Sequence, residues 1–447
     1  MKKNYSARHV VFDEQRRKLV DPWGGRAIPP DEHLMVLEDY VSVSLRRRHN
    51  PYPLLKLQLA LLMDLVDAEN SVAACKQKIA ELEAAPGAPS AQAHLKSVQG
   101  ELGKFSAIRR ALRDIGDGMA WRLLGCDRAA LESLAAHPRK PHINLSGLQA
   151  ELNALASEYN KPGARVGVLN DLTHFLKKAD ITIRLDDSTF EFLEVKSSNT
   201  KSGTLRRQRA DLEETLQFLN EGEGVRGDET AVILRLPIAP SSYMKAVASL
   251  AREAERTATA AAVIGEHLAV EFIDYPRGLE LDITDAPKLE KVEGVVDGWK
   301  SRGDHVLSMF GTDRYLDVRN YAPYSVYPLT ALQRVKLMTG ALVTVSKLNV
   351  SAVLRYIESR GWTLVRGPDS YAEDFEKGDW GQRTSPLATF RKGPLTMEVP
   401  GPWIGRLALE YLAPRTIVDG LEAVLAAGSV RSTMALPVFA REAEQWD

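Results

Sequence analysis

The chain has 447 residues, with 58 Lys and Arg against 59 Asp and Glu, and the resulting net charge of -1 gives no overall attraction to a polyanion. Its length suits about two or three domains. The 44% hydrophobic and 26% charged content is that of a soluble globular chain, and no apolar run approaches the roughly 18 residues that cross a bilayer. No membrane partner is therefore expected. The opening "MKKNYSARHVVFDEQRRK" has positive charge but no apolar stretch behind it, so export is not expected and a cytoplasmic location is. Cys75 and Cys126 are the 2 cysteines and no Cys/His cluster has zinc-ligand spacing, which excludes a disulfide framework and a structural zinc site. Any metal would have oxygen ligands.

In chain order, residues 1–54 mix strand-like pieces ("HVVF", "YVSVSL") with turns and end in the basic "LRRRHNPYP", as a small lead-in subdomain would. Residues 55–135 then turn helical. Leu61, Leu65, Ala68, Val72, Cys75, Ile79 and Leu82 recur at three- and four-residue spacing, "AAPGAPS" interrupts, and Ala91, Leu95, Val98, Leu102 and Phe105 resume before shifting to Ile108, Leu112, Ile115 and Met119. The spacing predicts a long antiparallel helical hairpin, coiled-coil-like, whose plain role is a spacer or dimerisation arm. Residues 136–240 open with a loop, "HPRKPHINLSG", and a helix with Leu148, Leu152, Leu155 and Tyr159 on one face. Three strands ("ARVGVL", "ADITIRL", "TFEFLEVK"), a helix from about Thr204 to Asn220 and the apolar strand "TAVILRLP" follow. Residues 241–447 form a C-terminal α+β domain. In it "ALVTVS" precedes a helix with Val350, Val353, Leu354 and Ile357 inward and Gly361 as its C-terminal cap. No nucleophile elbow, phosphate-cradling loop or dinucleotide fingerprint is present there.

The stretch "STFEFLEVKSSNTKSG" breaks the pattern of a half-buried strand, because Glu194 and Lys196 fall on one face while Leu193 and Val195 fall on the other. With Asp186, Asp187 and Ser188 as a three-residue turn, Leu185 pairs with Thr189 and Asp180 comes opposite Glu194. Two carboxylates this close repel unless a cation lies between them, and hard oxygen donors suit Mg²⁺ or Mn²⁺, with the Val195 carbonyl as a further ligand. Such an ion would offset charge on a phosphoryl group, which is equipment for phosphodiester hydrolysis. The bland alternative is a cross-strand ion pair on a surface strand.

Asp180 with "EVK" at 194–196, in the order helix, three strands, helix, strand, resembles the PD-(D/E)xK nuclease superfamily. Ala179 stands where that motif has proline. The resemblance covers about residues 145–240 and implies a restriction endonuclease-like mixed-sheet core. It also implies that Asp180 and Glu194 bind metal, that Lys196 assists the nucleophilic water, and that Gln208 in the following helix joins the site. Superfamily members often add an acid from the first core helix. Glu151 and Glu158 both qualify, with Glu158 slightly ahead, and Asp114, Asp117 and Asp171 are rivals.

From Val195 to Ala210 the chain carries Lys196, Lys201, Arg206, Arg207 and Arg209 and no acid, a local strip for a phosphate backbone or else a solvated helix face. Tyr315, Tyr321, Tyr324 and Tyr327 offer base-stacking rings or ordinary packing. His174 reads as structural. The expected fold class is α/β (α+β), with a nuclease core between the helical hairpin and the C-terminal domain. The expected function is a Mg²⁺-dependent nuclease acting on DNA, by architectural analogy in bacterial defence against foreign DNA, with a target-recognition or sensor role for the C-terminal domain. A homo-oligomer through the hairpin or that domain is also expected. The alternatives are a non-catalytic nucleic-acid-binding or sensor protein on the same fold, and an oligomeric scaffold with conditional nuclease activity.

Overall fold

The structure is a computed structural model. It describes residues 30–46, 52–84, 89–125, 131, 134, 145–161, 165–176, 179–185, 189–195, 210, 212–217, 220–221, 223–226, 229–236, 241–275, 290–316, 321–367, 386–393, 395–426 and 435–439. In chain order the helices are α1 (Pro30–Arg46), α2 (Tyr52–Ala84), α3 (Pro89–Leu123), α4 (Leu145–Tyr159), α5 (Met244–Thr257), α6 (Glu290–Ser301), α7 (Ala331–Thr339), α8 (Val350–Glu358), α9 (Gly401–Leu409) and α10 (Pro414–Ala426). The strands are β1 (Val166–Leu169), β2 (Ile181–Arg184), β3 (Phe190–Leu193), β4 (Glu223–Arg226), β5 (Glu229–Leu236), β6 (Thr259–Ile264), β7 (Leu268–Asp274), β8 (Val306–Phe310), β9 (Leu342–Asn349), β10 (Thr363–Arg366), β11 (Pro386–Lys392), β12 (Leu395–Pro400) and β13 (Ala435–Phe439). The architecture is mixed α/β, and among the described residues no helix is long and apolar enough to cross a membrane.

These elements form two compact units. The first holds α1 to α4, the sheet β1-β2-β3 and α7. The hairpin of α2 and α3 is present as expected, and Leu61, Leu65, Ala68, Val72 and Cys75 line its buried seam. Its inner half is more than an arm. Leu54, Leu55, Leu57, Leu59, Ala60, Leu61 and Leu62 are all buried, as are Ala111, Leu112, Ile115, Met119, Ala120 and Trp121, so this half is core on nearly every face. The hairpin and the three-stranded sheet thus share one unit, where separate domains at 55–135 and 136–240 were expected.

"YVSVSL" falls in α1, not in a strand, because Leu34, Leu37, Glu38 and Val41 are buried at helical spacing and this outweighs the alternation of β-branched residues. "HVVF" lies outside the described residues. Glu38 accepts from Arg334 Nε at 2.8 Å and from Ser325 Oγ at 2.7 Å, which ties the segment 324–339 to α1. That segment buries Tyr324 and Tyr327 edge to face at 5.4 Å, and Tyr321 is buried in the second unit. These three rings are packing residues, not stacking platforms.

The meander β1-β2-β3 is antiparallel. Helix α4 covers it with Leu148, Leu152, Leu155 and Tyr159, the expected face, and a Cβ added at Gly167 would lie 2.7 Å from Leu155 Cδ1. The outer edge of β1 is closed by one side chain of α2. Gln58 donates to the Gly167 carbonyl at 2.9 Å and accepts from the Leu169 N–H at 2.8 Å, standing in for a neighbouring strand's peptide. The expected mixed sheet does not form among the described residues, because β5 pairs in parallel with β13, two hundred residues on, in a separate sheet.

The second unit is built on the antiparallel sheet β6-β7-β9-β8, with Ala269, Val292, Val296 and Trp299 packed between α6 and one face. Beside it stands the antiparallel sheet β10-β11-β12. Helix α8 buries Val350, Val353, Leu354 and Ile357 as expected, and Gly361 follows with φ 84°, the left-handed conformation of a C-terminal cap.

Gly116 and Gly118 lie in α3 where its neighbours approach closely. A Cβ at Gly116 would stand 2.1 Å from the Leu172 carbonyl oxygen, and one at Gly118 2.1 Å from Ser325 Oγ. Because the obstacle at Gly116 is backbone, Gly116→Ala should cost about 2–4 kcal/mol despite alanine's better helix propensity. Thermal unfolding checks this; an unchanged or raised Tm would show that α3 and the 170–176 loop can move apart freely.

Candidate metal and phosphodiester site

The β2–β3 hairpin sets the geometry. Ile181 pairs with Leu193 and Arg184 with Phe190, and the Leu185 N–H donates to the Thr189 carbonyl at 2.9 Å. This is the register expected from a three-residue turn, and carried one step further it sets Asp180 opposite Glu194. The two strands are joined there by side chain as well as backbone: the Val195 N–H donates to Asp180 Oδ2 at 2.6 Å, and the Asp180 N–H donates to the Leu193 carbonyl at 3.2 Å. Val195 therefore meets Asp180 as a hydrogen-bond donor. Asp180 is half-buried and Glu194 exposed.

Of the two expected acids of α4, Glu151 lies in the field of Asp180 and Glu194, while Glu158 is engaged elsewhere. Both are 5% exposed, but Glu158 is held in ion pairs by Lys161 and by Arg165 at 2.8 Å, and Arg165 also reaches Glu191 of β3 at 3.0 Å. Seven residues of helix separate the two glutamates by about 10 Å along the axis, so they look onto opposite ends of the sheet. Glu151 looks onto the Asp180 end. Its carboxyl is pushed up from 4.5 to about 8, first by burial and then by the negative charges of Asp180, Asp171 and Glu194. Asp180 is raised too, by burial and by Asp171, with the Val195 N–H acting in the opposite sense.

Asp171 thus belongs to the acidic group, carried by the 3₁₀ turn Asn170–Leu172. Its rivals serve elsewhere. Asp114 accepts the Tyr324 N–H at 3.0 Å, and Asp117 accepts the His174 N–H and meets His174 Nδ1, both at 2.7 Å, which makes His174 a structural residue as expected. The turn itself is fastened to α3 by Arg113, which is buried and donates to the carbonyls of Asp171 at 3.0 Å and Thr173 at 3.2 Å.

Four carboxylates, from α4, the 170–172 turn and the residues just before β2 and just after β3, therefore share one electrostatic neighbourhood, and their oxygen donors suit a hard divalent cation. Among the described residues no three His, Cys, Asp or Glu side chains are close enough together to hold one ion as they stand. Lys196, Lys201, Arg206, Arg207, Gln208 and Arg209 lie outside the described residues. Comparison of the chain with protein-family models, curated proteins and solved structures finds no match.

Because the folded chain holds the Glu151 proton more tightly than the unfolded chain does, the stability this adds is complete below about pH 4.5 and is lost as pH rises through about 8. Without divalent metal, Glu151→Gln should match the parent near pH 5 and exceed it near pH 9, by up to roughly 4 kcal/mol. Thermal melts in EDTA across that range check this. A variant that is less stable than the parent at both ends would place a cation beside Glu151.

Proposed function

We propose that this chain is a Mg²⁺-dependent phosphodiester hydrolase acting on nucleic acid, with DNA as the first substrate to test. The observation that supports it most is the hairpin register, which brings Asp180 across from Glu194 while Glu151 is buried within their field. Asp180, Glu194 and Glu151 would hold the ion, with Asp171 near enough to add charge. A divalent ion held there would offset negative charge building on a phosphoryl group and make a water more acidic. Lys196 follows Val195 directly, and by the superfamily resemblance its ammonium orients the attacking water. The N–H of Val195 fixes Asp180 Oδ2 from the other strand and so limits its rotation. Lys201, Arg206, Arg207 and Arg209 would track the phosphate backbone, and by the superfamily resemblance Gln208 would join the site.

A second reading, a nucleic-acid-binding or sensor protein without catalysis, is favoured by one observation: the described acids do not close around a single point. The two separate in one assay. Plasmid, single-stranded DNA and RNA are incubated with the purified chain in Mg²⁺ or Mn²⁺, beside Asp180→Ala, Lys196→Ala, Glu151→Gln and Glu158→Gln. The first three should lose cleavage by at least about a hundredfold. Glu158→Gln should keep it and lose stability, since that change strips two ion pairs at the far end of α4. Cleavage that survives in both Asp180→Ala and Lys196→Ala rejects the site; binding of nucleic acid with no cleavage by the parent selects the second reading.

A further inference from the structure

Asn170 is 3% exposed and engages the backbone on both sides of Asp180. Its side-chain Nδ2 donates to the carbonyl of Ala179 at 2.8 Å, in the peptide that enters Asp180. Its main-chain N–H donates to the carbonyl of Asp180 at 2.9 Å, in the peptide that leaves it. The remaining side-chain atom, Oδ1, accepts the hydroxyl of Thr182 at 2.9 Å, one residue into β2. The Asn170 carbonyl in turn accepts the Thr173 N–H at 3.0 Å and its hydroxyl at 2.9 Å, which keeps the turn closed.

We propose that Asn170 is a positioning residue for Asp180: it clamps both flanking peptides of that aspartate so that its carboxylate is set for a divalent cation. This rests on the metal-dependent reading above. The chemistry requires an amide. A carboxylate at this position would set an acceptor oxygen against the Ala179 carbonyl in place of the Nδ2 donor, and an alanine would take the side-chain partner from that carbonyl and from the buried Thr182 hydroxyl. The turn that carries Asn170 is itself immobilised on α3, by Arg113 through the carbonyls of Asp171 and Thr173 and by the close approach of Gly116 to Leu172. The backbone of Asp180 is therefore tied to a helix of the unit's core through one residue, Asn170, while the Val195 N–H holds its Oδ2.

The test is Mn²⁺ affinity of the full chain, read from loss of the free-ion EPR signal, with Tm measured in parallel. Gln58→Ala is the matched control. Gln58 is also buried, and its side chain makes three bonds where that of Asn170 makes two, to Leu169, Gly167 and the Tyr159 hydroxyl, on the outer edge of β1 and none to Asp180. Asn170→Ala should weaken Mn²⁺ binding by about 10- to 100-fold, as loss of a group that orients a metal ligand does, while Gln58→Ala lowers Tm and leaves affinity within about threefold. Equal weakening by both, or parental affinity in Asn170→Ala, overturns the proposal. If Asn170→Ala does not fold, Thr182→Val and Thr182→Ser decide, since only the serine keeps the hydroxyl bond to Oδ1. Val weakened and Ser unchanged supports the clamp; both unchanged rejects it. A parent chain that takes up no Mn²⁺ at all rejects the metal-dependent reading itself, a result distinct from all of these.

Discussion

The pairing of Ile181 with Leu193 determines which charged groups can meet at the open end of the β2–β3 hairpin. A strand slipped by one residue exchanges its two faces, so this single register decides whether Glu194 stands across from Asp180 or turns away from it. It is held at one end by the Leu185 to Thr189 hydrogen bond and at the other by the Val195 N–H on Asp180 Oδ2. The second bond is unusual in kind, because a side chain of one strand takes the place of a ladder partner for the other. Its consequence is that the carboxylate is fixed by the same ladder that fixes the backbone. The buried side chains of Ile181, Ile183 and Phe190 anchor the hairpin and give that register its energy.

Around this hairpin the first unit supplies stiffness from an unexpected quarter. The inner half of the helical hairpin is core, and α3 presents Arg113, Gly116 and Asp117 in little more than one turn to the loop between β1 and β2. Burying a guanidinium is costly unless its donors are met; the two terminal nitrogens of Arg113 meet the carbonyls of Asp171 and Thr173 and the Glu69 carboxylate at 3.4 Å, and its buried Nε has no partner among the described residues. Asp117 fixes the same loop through His174, and Gly116 removes the side chain that would hold it off. These are three different devices acting on one short segment. The segment carries Asn170 and Asp171, so the anchoring reaches the acidic group directly.

Local sequence carried the parts of this arrangement whose cause is local. Alternation exposed the odd charges of "FEFLEVK", turn residues gave the register, and the three- and four-residue spacing gave both long helices and the inward face of α4. The choice between Glu151 and Glu158 was not legible, because seven residues bring a helix back to the same face and only the distance along the axis separates them. Arg165 and Lys161 lie just past the end of α4 and are the near cations that neutralise Glu158. The fate of β5 was illegible for a different reason. Its partner β13 is two hundred residues away, and an apolar run does not state which edge it will join. In α1, β-branched residues in alternation masked a helical stripe that only burial reveals.

The two glutamates of α4 make the physical case for function in its sharpest form. They are equally buried, on one face of one helix, and differ in what surrounds them. Glu158 is neutralised by Lys161 and Arg165, as a carboxylate retained for structure should be. The charges that act on Glu151 among the described residues are Asp180, Asp171 and Glu194, all of its own sign. An aliphatic residue at 151 would pack against the sheet without that repulsion. The divalent cation proposed above would relieve that repulsion, since the energy stored among empty like-charged ligands is energy that binding such an ion would release.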